Sequence, residues 1–492
     1  MNANLKITHA MTNQLAAVRQ ERRQLLKAFL LAVIVLFMVE LYTVQTSSIT
    51  SIAGAILIAI AALLPLYLWC SGLALGLPIF PIFALTYLWT YALPLVSNNS
   101  RIMASSPDDI FFASVTLIVF LGLGTLIWFQ FVKSPPAVPK YYRVLGVQNT
   151  DGIFLIILIV AILFNMFSLG RWFDIKGGTI ALIRGTILGL NGLAVFVLAY
   201  RCGTRDLSKV KSNIFCALLA FYIITSAAFL ILVSALSIVL LATIAFIVGR
   251  RQVPWLPIIL VLICLLPLHY GKREMREKYW GLYETHSVQP WEYPAWYAEW
   301  IGYSFDGLNA PASQEAKTES VVERSSLMHL LLMVQSKTPR DLPYLSGATY
   351  SFIPNLLVPR ILNSHKIRSH EGTYLLSIHY GLQTRRDTLR TTIGWGLLNE
   401  AYANFGLSGC AGLAIIFGVV YGQATRWSMN TPLLSSRSLF AVLLMSFAFQ
   451  SEFSAGVYVA ALFQSLVPLG VLTVVFMRVH SSSSQYQGSG LT

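Results

Sequence analysis

Apolar runs of about 20 residues recur along most of this chain, and no other sequence feature constrains the fold as strongly. Runs of this length cross a bilayer as helices, because a helix satisfies its own backbone polar groups. The strands of a transmembrane β-barrel are shorter and alternate apolar with polar residues, which these runs do not. Only 11% of the residues are charged, which excludes a water-soluble enzyme. The sequence therefore predicts an all-α, polytopic integral membrane protein.

The hydropathy pattern predicts about twelve transmembrane helices. The apolar stretch 213–249 is too long for one crossing, and we divide it near Ser234. The predicted spans are 28–46, 50–70, 73–96, 110–132, 152–170, 185–202, 213–232, 234–249, 255–270, 403–425, 438–452 and 457–478.

The net charge of +14 lies mainly in loops that this arrangement places inside the cell, which is the positive-inside pattern. The charge therefore indicates orientation and not nucleic-acid binding. The basic N-terminal segment resembles the start of a signal peptide but lacks a cleavage site, so we interpret 28–46 as a retained span. These features predict a multi-pass membrane protein with both termini in the cytoplasm.

Four regions follow from this topology. Residues 1–270 form an N-terminal transmembrane region of about nine helices, and 271–395 form a large periplasmic loop between helices nine and ten. Residues 396–480 form a C-terminal region of about three helices. The low-complexity tail 481–492 is expected to be disordered.

The first part of the large loop, 271–323, is rich in aromatic residues. Two interpretations remain open: an interfacial aromatic belt beside a solvated helix, or a surface on which sugar rings stack. The residues concerned are Trp280, Tyr283, Trp291, Tyr293, Trp296, Tyr297 and Trp300.

The second part of the loop, 324–395, carries an excess of cations that the positive-inside rule does not require outside the cell. It predicts an anion site, such as one for a diphosphate, because arginine can hold phosphate oxygens with two parallel hydrogen bonds. Contact with acidic lipid head groups is the alternative. The histidines His365, His370 and His379 have no metal-ligand spacing, and we predict no metal.

Several polar residues beside the spans are further candidates. Asp108 and Asp109 form either a catalytic carboxylate pair or the cap of the next helix, after Ser106 and Pro107. Glu400 lies at membrane depth, where an ionisable residue indicates function, and Asn404 follows on the same helical face. Interhelical hydrogen bonds are predicted for Glu40 and Asn165, and close helix packing for Gly406, Gly409, Gly412, Gly418 and Gly422.

Residues 324–422 resemble bacterial polymerases of oligosaccharide repeat units of the Wzy type, which make O-antigen and exopolysaccharide. The motifs are Arg324-Ser325, Pro339, Gly347-Ala348-Thr349-Tyr350, Ile353-Pro354, Val358-Pro359-Arg360-Ile361-Leu362, Lys366, Tyr380-Gly381, Thr391-Thr392-Ile393-Gly394 and Asn399-Glu400-Ala401-Tyr402-Ala403-Asn404-Phe405-Gly406. The chain departs from the family at Asn363-Ser364-His365, where relatives tend to have a Trp-Pro-Asp-like run before the lysine.

The resemblance implies transfer of a growing glycan from undecaprenyl diphosphate onto another lipid-linked repeat unit at the periplasmic face. Glu400 is the first choice for the general base, followed by His370 or Glu371. Tyr380, Tyr402 and Asn404 are expected to orient sugar hydroxyls. No cofactor is required, and a chain-length regulator is a possible partner. The expected diphosphate ligands are Arg360, Lys366, Arg368, Arg171 and Arg184, with Arg324, Arg385 and Arg390 as weaker choices.

Three other functions compete with polymerisation. An O-antigen ligase-like transferase uses the same donor but a different acceptor. A lipid-linked oligosaccharide flippase can also have about twelve spans, although two similar halves would be expected. A metal-dependent glycosyltransferase would use Asp108 or Asp109.

Overall fold

The computed structural model describes most of the chain, and several of the residues predicted above lie outside it. Glu40, Trp280, Tyr283, Arg324, Arg360, His365, Arg390 and the tail after Ser481 are not among the described residues. The described residues are 22–38, 41–42, 44, 46, 48–97, 99–145, 150–172, 178–265, 267–279, 287–308, 326–358, 363, 366–388 and 391–481.

The described chain is predominantly helical, which confirms the predicted all-α class. Its helices of eight or more residues are α1 (22–38), α2 (Ile49–Cys70), α3 (Ile79–Tyr87), α4 (Pro107–Val132), α5 (Thr150–Leu169), α6 (Gly178–Thr204), α7 (Lys209–Ala227), α8 (Leu232–Arg250), α9 (Trp255–Leu265), α10 (Lys272–Tyr279), α11 (Tyr293–Leu308), α12 (Met328–Lys337), α13 (Glu371–His379), α14 (Leu397–Ser428), α15 (Ser436–Ala448) and α16 (Ala455–Val471).

Seven helices of the described chain are long and apolar enough to cross a membrane, or eight if the bent pair of α9 and α10 is one span. This establishes a polytopic membrane protein, while the number twelve stays a prediction. The chain does break near the predicted division at Ser234. Helices α7 and α8 are separated by a turn at 228–231, in which Leu230 has a φ of 58°.

One short β-ladder was not predicted. Strand Tyr141–Leu145 pairs antiparallel with strand Met477–Ser481. The second strand begins inside the span predicted at 457–478, so the helical part of that segment ends earlier than its hydropathy indicates.

The chain divides into two compact units. The first contains Met1–Lys140, Val322–Thr431 and Phe440–Phe463, and the second contains Tyr141–Val321, Pro432–Leu439 and Gln464–Thr492. The boundary at Val322 falls inside the predicted large loop. Its aromatic part therefore belongs to the second unit, and its cationic part belongs to the first.

In the first unit, α14 packs closely along α4 through two of the predicted glycines. A Cβ atom on Gly418 would lie 2.9 Å from the carbonyl oxygen of Gly124, and one on Gly422 would lie 2.7 Å from the Phe131 ring. The packing prediction is therefore confirmed at these two positions. It is wrong for Gly412, where a Cβ would meet no atom within 4 Å.

Helix α14 is broken at Gly406, whose φ of 63° and ψ of −144° are not helical. The two parts fold back on each other, because the Cys410 sulfur lies 4.0 Å from the carbonyl oxygen of Leu398. A straight helix would separate these two residues by about 18 Å along its axis. The part 407–428 is about 33 Å long and crosses a bilayer core by itself, so Glu400 and Asn404 lie in a separate short helical segment, 397–405.

The break leaves backbone carbonyls without helical partners, and a neighbouring segment satisfies them. The amides of Leu345 and Ser346 donate to the carbonyl oxygens of Ala403 and Asn404 at 3.0 and 3.1 Å. The amide of Gly347 donates to the Asn404 side chain at 3.0 Å. The segment 345–347 therefore holds the end of 397–405 in place.

In the second unit, α11 lies against the C-terminal ends of three predicted spans. The amide of Val288, just before α11, donates to the Leu169 carbonyl at 3.2 Å. The Tyr297 hydroxyl donates to the Ile224 carbonyl at 2.6 Å, and the Trp300 indole donates to the Leu268 carbonyl at 2.7 Å. Contact with one helix places these three ends on the same side, as the predicted topology requires of spans five, seven and nine.

Most of the described aromatic residues in 287–308 form the core of this region. Tyr293, Trp296 and Trp300 are buried against Met275 of α10 and the turn at Leu230. The buried rings are therefore neither an interfacial belt nor a sugar-stacking surface. Trp291 differs from them, since 70% of its surface is exposed.

The backbone at Gly406 generates a prediction about stability. Gly406→Ala should lower the free energy of unfolding by about 2–3 kcal/mol, because an L-residue is strained at this φ and ψ. Its Cβ would also lie 2.7 Å from the Tyr344 hydroxyl. The matched control, Gly412→Ala, should be neutral or stabilising by up to about 1 kcal/mol. Thermal unfolding in detergent compares the two, and equal stability would contradict the break at Gly406.

Candidate functional site

The segment 397–405 places three polar side chains in the interior of the first unit. Asn399, Glu400 and Asn404 each have 0% of their surface exposed. Burial of polar groups costs free energy unless hydrogen bonds replace those to water. The partners of these three side chains therefore determine how the segment is held.

Both asparagines are satisfied by protein groups. Asn399 accepts from the Tyr91 hydroxyl at 3.1 Å and donates to the Leu327 carbonyl at 3.0 Å. The Asn404 amide nitrogen donates to the Thr349 hydroxyl oxygen and to the Glu400 carbonyl, both at 2.8 Å. The last bond confirms that Glu400 and Asn404 share one helical face.

Glu400 is only partly satisfied. Its Oε2 accepts from the amide of Ala455 at 2.5 Å, at the first residue of α16. A helix N-terminus carries partial positive charge and stabilises a carboxylate. The Thr349 hydroxyl also interacts with this carboxylate, although Oε1 makes no hydrogen bond of good geometry among the described residues. A Cβ built on Gly372, in the first turn of α13, would lie 3.7 Å from Oε1, so this oxygen faces α13.

The turn between α15 and α16 forms hydrogen bonds with two other parts of the site. The amides of Gly396 and Leu397 donate to the carbonyls of Glu452 and Ser451 at 3.0 and 3.1 Å. The hydroxyls of Ser454 and Thr373 lie 2.9 Å apart. The turn 451–455 therefore ties the start of 397–405 to α13.

Two of the predicted bases differ in their availability. Glu371 accepts two hydrogen bonds from Arg385, at 3.0 and 3.3 Å, which occupy both of its carboxylate oxygens. The pKa of His370 is lowered, first by burial and then by the nearby charge of Arg368. A lowered pKa favours a neutral imidazole at pH 7, which can accept a proton. His370 is therefore the better second choice.

The predicted diphosphate ligands are placed in different environments. The Lys366 ammonium donates to the Leu356 carbonyl at 2.5 Å, whereas Arg368 is exposed two residues before His370. Arg171 is exposed in the second unit. Arg184 lies in α6 of that unit, and its side chain is outside the described part of the chain. Lys366 and Arg368 are thus the first-choice ligands that the structure describes in the segment just before α13, and the weaker choice Arg385 is bonded to Glu371.

The residues predicted to orient sugars lie inside the first unit. Tyr380 is 2% exposed, and its hydroxyl lies 2.7 Å from that of Thr338. Tyr402 is 5% exposed, and Asn404 has the partners given above. Sugar contact by these residues stays a prediction, since their described surroundings are protein groups.

The acidic pair at the start of α4 has a structural role. Ser106 caps the helix by accepting from the Asp109 amide at 3.1 Å, and its hydroxyl donates to the Asp109 carboxylate at 2.7 Å. This confirms the cap interpretation.

Within the described residues, no group of three His, Cys, Asp or Glu side chains could hold a metal ion. The predicted interhelical bond of Asn165 is also present, to Ser226 at 3.1 Å.

The sequence analysis missed two residues of this site, Thr349 and Gly372, and one carboxyl group beside it, that of Glu452. Glu452 lies beside Gly396, and burial raises the pKa of its carboxyl group. Thr349 and Gly372 line the space near Oε1 of Glu400. Thr349 belongs to a recognised motif and could have been identified there, whereas no local signal marks Glu452 or Gly372.

Comparison with protein-family models, curated proteins and solved structures found no match to this chain.

The hydrogen bond between Glu400 and the Ala455 amide generates a prediction about stability that does not depend on a catalytic role of Glu400. Glu400→Ala should lower the free energy of unfolding by about 2–3 kcal/mol, because it leaves the Ala455 amide unpaired. Glu400→Gln keeps an oxygen acceptor and should cost less than about 1 kcal/mol. Thermal unfolding in detergent measures both. Equal losses would show that the bond to Ala455 does not hold the segment.

Proposed function

We propose that the protein polymerises undecaprenyl-diphosphate-linked repeat units at the periplasmic face of the bacterial inner membrane. The observation that carries this proposal is the buried carboxylate of Glu400. One of its oxygens is held by a helix N-terminus, and the other, near Thr349, makes no hydrogen bond of good geometry in the described structure. A buried carboxylate with one oxygen that lacks a well-placed donor supports a chemical role for it.

In the proposed reaction, a hydroxyl of the acceptor sugar attacks the anomeric carbon of the donor glycan. The bond from that carbon to the diphosphate oxygen breaks, and its electron pair leaves with undecaprenyl diphosphate. Glu400 accepts the hydroxyl proton through Oε1, which requires the acceptor to come within about 3 Å of it. Because Glu400 is fully buried, the acceptor must displace the first turn of α13 to reach it.

The leaving diphosphate gains negative charge, which fixed cations stabilise. Arg360, Lys366 and Arg368 are the proposed ligands, since they precede α13 in the chain and the last two are described there. Arg360 is included on the strength of the sequence motif alone. Arg171 remains a proposed ligand from its predicted position in an outer loop, and Arg184 from its position near the start of α6.

Loss of the carboxylate should abolish turnover while leaving the fold intact. Glu400→Gln should lower the rate at least about 100-fold, because general bases contribute that much or more. Arg360→Ala should lower it about 100-fold through loss of transition-state charge stabilisation. The assay follows purified protein acting on lipid-linked oligosaccharide. Glu452→Gln is the matched control, because it removes a second, partly buried carboxyl group to which no chemical role is assigned, and it should keep wild-type turnover.

Turnover by folded Glu400→Gln at the wild-type rate would remove the base role. Loss of turnover in Glu452→Gln alone would move that role to Glu452. The ladder of products also tests the class of reaction, because a polymerase makes many repeat lengths and a ligase makes one transfer onto a different acceptor.

Gly372 offers an independent test of access to Oε1. Gly372→Ala adds a methyl group at ordinary contact distance, 3.4 Å from Thr349 and 3.7 Å from Glu400. Stability should be unchanged or raised by up to about 1 kcal/mol, since alanine favours helix. Turnover should fall at least about tenfold, because the methyl group packs the first turn of α13 against Thr349 and Glu400 and opposes the displacement that admits the acceptor. The Gly412→Ala protein should turn over normally, and equal rates for both variants would contradict this route.

A further inference from the structure

Two exposed tryptophan rings form a platform in the second unit. The rings of Trp172 and Trp291 have centroids 6.0 Å apart and planes inclined by 33°. Their exposed fractions are 46% and 70%. The ring of Phe167 in α5 packs against the Trp172 ring, with 4.9 Å between the two ring centroids. Exposed large aromatic rings are costly in water, and a fixed pair of them indicates a binding surface.

A frame of hydrogen bonds around Gln289 fixes the platform. Its side-chain oxygen accepts from the Trp172 indole, and its amide nitrogen donates to the Gly170 carbonyl at 3.1 Å. Its backbone amide donates to the Glu292 carboxylate at 2.7 Å, just after Trp291. The Trp172 ring is therefore attached to a backbone-anchored group, and the bond from Gln289 to Glu292 fixes the backbone turn that carries Trp291.

The chemistry of the platform favours a carbohydrate over a lipid head group. A tryptophan that anchors a protein at the membrane interface directs its indole N–H to the polar layer. The N–H of Trp172 is instead bonded to Gln289, so this residue offers the flat face of its ring. The apolar faces of pyranose rings match such surfaces, and Gln289 and Glu292 provide polar atoms for sugar hydroxyls at the edge.

The predicted topology places the platform at the outer ends of the spans, where a membrane-bound glycan begins. Trp172 follows the end of α5 by three residues, and α11 rests on the ends of three predicted spans. The first sugars of a lipid-linked glycan lie just outside the membrane surface. We propose that Trp172 and Trp291 form a glycan-binding subsite that holds the sugar chain by stacking. This proposal rests on the proposed function for the identity of its ligand.

A binding measurement tests the platform without turnover. The probe is the host's own surface polysaccharide, released by mild acid and free of lipid, titrated into full-length protein in nanodiscs. Trp172→Ala and Trp291→Ala should each weaken binding about three- to tenfold, as expected for loss of one stacking ring. Trp255→Ala, which removes a ring with 43% exposure at the start of α9, should bind as the wild type does.

A second measurement distinguishes the glycan from lipid. Nanodiscs with brominated acyl chains quench tryptophan fluorescence on contact. The fraction of tryptophan fluorescence that the brominated chains quench should change no more in Trp172→Ala or Trp291→Ala than in a variant that lacks a buried tryptophan. Strong quenching of these two rings, or glycan binding that survives both substitutions, would overturn the proposal. The Glu400→Gln protein should bind the glycan normally although it is inactive. Glycan binding is therefore measured independently of turnover, so a failure of this proposal can be distinguished from a failure of the proposed function.

Discussion

The structure of the first unit depends on the hydrogen bonds that complete the backbone where α14 breaks at Gly406. In an apolar environment an unpaired carbonyl or amide costs several kcal/mol, so a membrane helix can end only where other groups complete its hydrogen bonds. The amides of 345–347 do this for Ala403 and Asn404. Because they do, the segment 397–405 can fold back from the span and place Glu400 between α13 and the start of α16.

The same arrangement explains the asymmetry of the Glu400 carboxylate. Its tether to Ala455 is structural, since it joins the last helix to the segment that carries Asn399 and Asn404. Its Oε1 lies near Thr349, makes no hydrogen bond of good geometry among the described residues, and contributes nothing to that tether. Natural folds seldom leave a buried carboxylate oxygen without a well-placed donor, because each such atom costs free energy. This cost is the physical reason to assign it a role in binding or proton transfer.

Much of the fold could be predicted from the sequence, because solid apolar runs specify helices regardless of context. The all-α class, the break between α7 and α8 and the cap at Ser106 follow from such local signals. The break at Gly406 could not be predicted, because the residues around it favour one continuous helix. The hydrogen bonds that stabilise the break come from residues about 60 positions earlier in the chain. The aromatic residues in and just before α11 show the same limit, because burial of Trp300 and exposure of Trp291 depend on tertiary packing.

The site shows which residue types are predictable. Glu400 and Asn404 stood out because polar residues at membrane depth are rare. Tyr380 and Tyr402 matched a motif, yet their rings lie within the protein. Gly372 carries no chemistry of its own and matters only because it leaves space beside Oε1.

The most direct test of the account is an experimental structure with a polyprenyl-diphosphate-linked oligosaccharide bound. The account predicts a sugar hydroxyl within about 3 Å of Glu400 Oε1, with α13 displaced and the bond from Ala455 intact. A structure in which the oligosaccharide binds elsewhere, while Glu400 stays enclosed against Gly372, would contradict it.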